Sequence, residues 1–127
     1  LQLKGEAVYL LYAVWTKPDD VEAFERYYEE THAPLAAAIP GLERLVLART
    51  SDFLGEEPSP FHRIAELWFT DEAAFEAAKD SPELASAAED AAEMQERFKV
   101  TLHSPAGVPV DAPLGPFVPP PGREQSV

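Results

Sequence analysis

The stretch over residues 31–42, THAPLAAAIPGL, joins an amphipathic helix to a strand and holds the histidine best placed for chemistry, His32. Upstream of it Val21, Phe24, Tyr28, Thr31 and Leu35 recur at three- and four-residue spacing, while Glu22, Glu25, Arg26, Glu29 and Glu30 fill the opposite side. That spacing predicts a helix with one buried stripe. Pro34 has no N–H to give the carbonyl of Glu30, so the helix is expected to kink or loosen over residues 31–33 before Pro40 and Gly41 turn the chain. His32 then sits where regular helix ends.

Working outward, residues 7–15 (AVYLLYAVW) form an apolar run of strand length, and Pro18, Asp19 and Asp20 end it with a helix-start signal. Residues 42–50 read as a second strand near a sheet edge, and residues 51–60 as a Pro/Gly/acidic loop. Residues 63–69 (RIAELWF) read as a third strand, with Ile64, Glu66 and Trp68 on one face and Ala65, Leu67 and Phe69 on the helix-covered one. Thr70 or Asp71 caps a short helix that buries Phe75 and Ala78, and Ser81 with Pro82 starts another. There Leu84, Ala87, Ala88, Ala91, Met94 and Phe98 form the stripe, before a fourth strand over residues 99–103. This order is an α+β, ferredoxin-like split βαβ arrangement: a four-stranded antiparallel sheet with helices on one face only.

The other face would present Tyr12, Ile64 and Trp68, with Leu10 and Val14 beside them. Apolar surface of that kind calls for cover. Two copies packing these faces would close a barrel around a pocket, so a twofold homodimer is expected. The domain is expected to span residues 1–104. Residues 105–127, with seven of the thirteen prolines, form a tail that cannot make its own core and is either disordered or an extended arm on a neighbouring subunit.

At 127 residues with 23 acidic and 10 basic side chains, the chain is one domain carrying a net charge of −13. That charge opposes phosphate backbones and anionic lipid, so neither nucleic acid nor membrane is an expected partner. Glu83, Glu89, Asp90, Glu93 and Glu96 read as a solvated helix face. The absence of cysteine excludes disulfides and thiolate chemistry. No membrane-length apolar run and no signal-peptide pattern is visible, and a cytoplasmic location is the expectation.

With these residues assembled, the chain resembles the EthD family of dimeric α+β barrel proteins. AFERYYEETHAPLAAAIPGL (residues 23–42) is similar to that family's helix ending in His-x-Pro-Leu and followed by Pro-Gly, and AELWFTDEAAFEAA (residues 65–78) to its third strand and following helix. The resemblance covers residues 7–103 and implies the barrel fold. Similar barrels include polyketide dehydratases and cyclases, lactone isomerases and cofactor-independent monooxygenases, and the fold alone does not choose among them.

The resemblance carries over to His32 as the histidine of the motif, and an imidazole can move a proton near neutral pH. The alternative is a histidine that only fixes the helix end. Tyr28 shares its helix face by spacing, and Glu66, between Ile64 and Trp68, is either a carboxylate of raised pKa or a partner for Arg44 or Arg63. Catalytic candidates are therefore His32, Tyr28 and Glu66, with Tyr12, Ile64 and Trp68 as pocket walls. His62 and His103 do not complete a metal motif, no phosphate loop or dinucleotide fingerprint is present, and no metal or cofactor is expected. The expected function is binding of a small hydrophobic or aromatic metabolite, with cofactor-independent proton transfer as a lyase or isomerase would perform it. The alternatives are a non-catalytic ligand-binding protein and a cofactor-free monooxygenase.

Overall fold

The computed structural model describes residues 8–122. The elements are β1 (Tyr9–Thr16), α1 (Val21–Tyr27), a π-helical turn (Tyr28–His32), α2 (Ala33–Ala37), β2 (Leu42–Arg49), β3 (Phe61–Phe69), α3 (Glu72–Ala78), α4 (Pro82–Phe98), β4 (Leu102–His103) and β5 (Ala106–Gly107). The sheet runs β2-β3-β1-β4, all pairs antiparallel, with β5 also on β1. This is the ferredoxin-like α+β order expected from the sequence.

Helix starts follow local chemistry. Asp20 accepts from the N–H of Ala23 at 3.1 Å, Asp71 from Ala74 at 2.8 Å, and Ser81 Oγ from Leu84 at 3.1 Å, each satisfying a donor the first turn leaves free. Between α2 and β2, Gly41 takes a left-handed φ of 87°, and a Cβ there would meet Ala74 Cβ at 3.2 Å.

The helix-covered face has two packed clusters. One gathers Trp15, Phe24, Tyr28, Met94 and Phe98, the other Ile39, Leu67, Phe69, Phe75 and Ala87. On the other face the register aligns Tyr12 with Glu66, Val14 with Ile64, and Leu10 with Trp68. Ile64, Glu66 and Trp68 thus lie opposite Ala65, Leu67 and Phe69, as their alternation indicates.

Two expectations are corrected. Thr31 belongs to the predicted buried stripe but is exposed, and His32 is buried in its place. The π turn is the cause: Ala33 donates to the carbonyl of Tyr28, five residues back, and this wider turn swings residue 31 outward and residue 32 inward. The fourth strand is also shorter than expected, because Lys99 adopts a left-handed conformation that ends α4 and only Leu102 and His103 join the ladder. Pairing then resumes past residue 104, with Tyr12 N–H donating to Pro105 and Ala106 and Gly107 facing Leu11 and Leu10. Beyond this edge residues 108–120 form no helix or strand, and Val110, Leu114 and Phe117 are exposed.

A bulge where β1 meets β3 pairs Trp15 with Arg63 and Thr16 with Phe61, leaving His62 as the extra residue. It lets two consecutive side chains, His62 and Arg63, both reach Glu25 on α1.

Candidate functional site

A cavity of about 310 Å³ lies between the helix-covered sheet face and the helices. Leu11, Ala13, Ala65 and Leu67 come from the strands, Ala33 and Ala36 from α2, and Ala87, Ala88, Ala91 and Ala92 from α4. Eight of the lining residues are alanine, so the space exists because side chains that would fill it stop at Cβ. Leu47, Ala88 and Ala92 line it and also reach solvent, which marks where it opens.

His32 lines this cavity and is only 8% exposed. Its Nδ1 stands 2.9 Å from Oδ2 of Asp90 on α4, and the hydroxyl of Tyr27 donates to Oδ1 of the same carboxylate. A carboxylate only accepts, so Nδ1 carries a hydrogen, and in the neutral ring Nε2 keeps its lone pair as the polar atom left over from the bond to Asp90. The bond to Asp90 pushes the Tyr27 phenol up to about 12. The charge-linked row is thus Tyr27, Asp90, His32, then cavity.

Tyr28 lines the same cavity and is 1% exposed, and burial pushes its phenol up to about 12, so it remains a neutral donor. Its hydroxyl makes no hydrogen bond among the described residues. Its ring centroid is 6.0 Å from that of His32. Trp15 packs edge-on to the imidazole at 5.4 Å, and its buried indole N–H has no partner among the described residues. The other polar groups of the lining are tied to backbone: Gln95 bridges the Ala91 carbonyl and the Leu102 N–H, and Ser104 donates to the Tyr12 carbonyl.

Behind Tyr28 lies a buried ion network. The Arg63 guanidinium is 4.7 Å from the Tyr28 ring centroid and donates to Glu25 at 2.6 Å and to Glu29 at 3.0 Å, while His62 Nε2 lies 2.6 Å from Glu25. Hydrogen bonds from Arg63 hold the Glu25 carboxyl below its ordinary range against the opposing effect of burial. This network supports the wall of the cavity and does not line it.

The structure brings His32 and Tyr28 together and sets Glu66 apart from them. Glu66 lies on the opposite sheet face, where its Oε1 accepts from the indole N–H of Trp68 at 3.0 Å. Neither expected arginine pairs with it: Arg44 stacks over Trp68 and Arg63 turns to Glu25. Tyr12, Ile64 and Trp68 share that face and do not line the cavity. Asp90 is a correction to the solvated-face reading, since its side chain is only 10% exposed and holds His32. His62 and His103 do not converge, because His62 turns to Glu25 and His103 packs on Phe61.

Fold and site define an antiparallel α+β sheet protein whose cavity sits under its helices with a carboxylate-held histidine. The EthD domain model matches residues 17–97, and the chain belongs to the EthD family. A curated relative, an uncharacterized 11.0 kDa protein in the thcB-thcC intergenic region of Rhodococcus erythropolis, is 33% identical over 85 residues, covering 67% of this chain and 82% of the relative. An EthD family protein from Bacillus halodurans C-125 superposes with a TM-score of 0.69 at 27% identity, over 80% of this chain and 97% of that one. A DABB family protein with a ferredoxin-like fold from Mesorhizobium loti gives 0.57 at 16% identity, over 84% and 100%.

Proposed function

We propose that this EthD-family protein binds a small hydrophobic or aromatic molecule in the alanine-lined cavity and moves a proton on it without a cofactor. The observation that carries this is the 2.9 Å contact from Asp90 to His32 Nδ1, which leaves Nε2 as a base in an apolar space. His32 takes and returns the proton, and Tyr28 donates a hydrogen bond to the group where charge develops. Asp90 is a positioning residue for His32, and Tyr27 for Asp90. Dehydration, cyclisation and isomerisation all need this pairing of base and donor. Glu66 is left out of the relay, since the sheet separates it from the cavity.

In this reading Tyr12, Ile64 and Trp68 serve assembly: a second copy covers their face and completes a dimeric barrel. The test of the activity is turnover by wild type and His32→Gln across a panel of cyclic hydrophobic compounds. Conversion lost in the variant supports proton transfer. A ligand bound tightly and returned unchanged by both proteins sinks it in favour of a binding protein, and oxygen consumed with conversion sinks it in favour of an oxygenase.

A further inference from the structure

The polar inventory of the cavity restricts what it can hold. With Gln95 and Ser104 tied to backbone, the lining groups left without a partner among the described residues are two donors, the Tyr28 hydroxyl and the buried Trp15 indole N–H, and one acceptor, His32 Nε2, with the Tyr28 and His32 ring centroids 6.0 Å apart. Among the described residues no lysine or arginine lines the space, and the Arg63 guanidinium is committed to Glu25 and Glu29 behind the Tyr28 ring. A ligand carboxylate would be buried without a counter-charge and with Asp90 just behind the imidazole. A ligand ammonium fares no better, because Asp90 does not line the cavity and sits behind the imidazole, so no carboxylate of the described lining would pair with the buried charge. A pure hydrocarbon would leave the hydroxyl of Tyr28, a residue only 1% exposed, unpaired.

We infer that the ligand is an uncharged cyclic carbonyl compound, its oxygen on the Tyr28 hydroxyl and the carbon next to the carbonyl facing His32 Nε2; this rests on the proton-transfer reading above. The step balances without an oxidant or reductant. The C–H bond breaks and its proton joins Nε2, the freed pair forms the enolate C=C, and the carbonyl π pair moves to oxygen. Tyr28 keeps its proton throughout and strengthens its hydrogen bond as charge reaches that oxygen. Where the enolate is conjugated with a further C=C, return of the proton to the far carbon isomerises the compound. Where the carbon beyond bears a hydroxyl, the oxygen pair re-forms the C=O, the enolate C=C pair forms the new C=C, and the hydroxyl leaves with the C–O pair and takes the proton from Nε2 to depart as water. At about 310 Å³ the cavity is at the small end of ligand sites, which suits one or two fused rings.

The test uses the full chain with 2-tetralone, an enolisable bicyclic ketone, against 2-naphthoate, its charged bicyclic counterpart. Binding is followed by NMR titration and exchange by deuterium uptake at the ketone's C1 in D2O. Expected is ketone binding at least about tenfold tighter than naphthoate, weakened about fivefold in Tyr28→Phe, and deuterium uptake about 100-fold faster than with His32→Gln. Should His32→Gln not fold, exchange with an equal concentration of free imidazole is the reference. Naphthoate binding as tightly as the ketone, binding of neither, or unchanged affinity in Tyr28→Phe overturns the ligand class. Selective ketone binding with uptake no faster than the reference leaves the ligand class standing and overturns proton transfer.

Discussion

Oδ2 of Asp90 lies 2.9 Å from Nδ1 of His32, across 58 residues of sequence and between two helices, and it fixes which imidazole nitrogen carries hydrogen. The proposed proton transfer depends on that choice, because the reverse tautomer would present a donor where the proposal needs a base.

Asp90→Asn tests this bond directly. An amide can donate as well as accept, so the tautomer is no longer imposed. The expected result is a mixed tautomer at His32 in ¹⁵N NMR and turnover lowered about 100-fold. A purely structural Asp90 would leave the tautomer unchanged at the temperatures where the variant is folded.

Glu25→Gln removes the counter-charge of buried Arg63 and is expected to cost about 2 kcal/mol at neutral pH. Because the folded carboxyl lies below its ordinary 4.5, the network contributes fully above pH 4.5 and its contribution is lost as the pH falls through the lowered value. Thermal melts should therefore show a shallower acid decline in the variant than in wild type.

The two phenols act at the other end of the scale. Tyr27 and Tyr28 rise from 10.0 to about 12 on folding, so their contribution is complete below pH 10 and declines as the pH climbs toward 12. Tyr27→Phe and Tyr28→Phe should each flatten the alkaline loss of stability. Each should also remove one late phenol from the absorbance titration.

Ala88→Leu places a branched side chain into the cavity from a position already open to solvent. Affinity for a bicyclic ketone is expected to fall at least about tenfold, the effect of losing about 1.4 kcal/mol, with the melting temperature unchanged or raised. Unchanged affinity would place the ligand elsewhere.

Ile64→Asp puts a charge on the sheet face opposite the helices without touching the cavity. Light scattering should show wild type as a dimer and the variant shifted to monomer. A wild-type monomer at micromolar concentration would refute the role given to this face.

The fold was legible because its signals are local. Alternation in residues 63–69, the caps at Asp20, Asp71 and Ser81, and the proline and glycine at 40 and 41 each act over a few residues. The family resemblance pointed to the same arrangement, which the domain match bears out. The site was legible only as far as its local part, His32 and Tyr28 on one helix. Asp90 was hidden because its role depends on α4 lying against the π turn, a tertiary contact that no spacing encodes. Thr31 misled for a related reason: a count at 3.6 residues per turn is wrong wherever the helix widens. Glu66 drew attention as a carboxylate between apolar neighbours, and its partner proved to be Trp68, two positions along its own strand.

The π turn ahead of Pro34 has an evolutionary consequence. Since the bearing of His32 is written into the backbone, the chamber in front of it is free to drift. Under the proposed function, single exchanges among its alanines would resize the room for a guest while the base kept its heading, so a lineage could change clientele without rebuilding its chemistry.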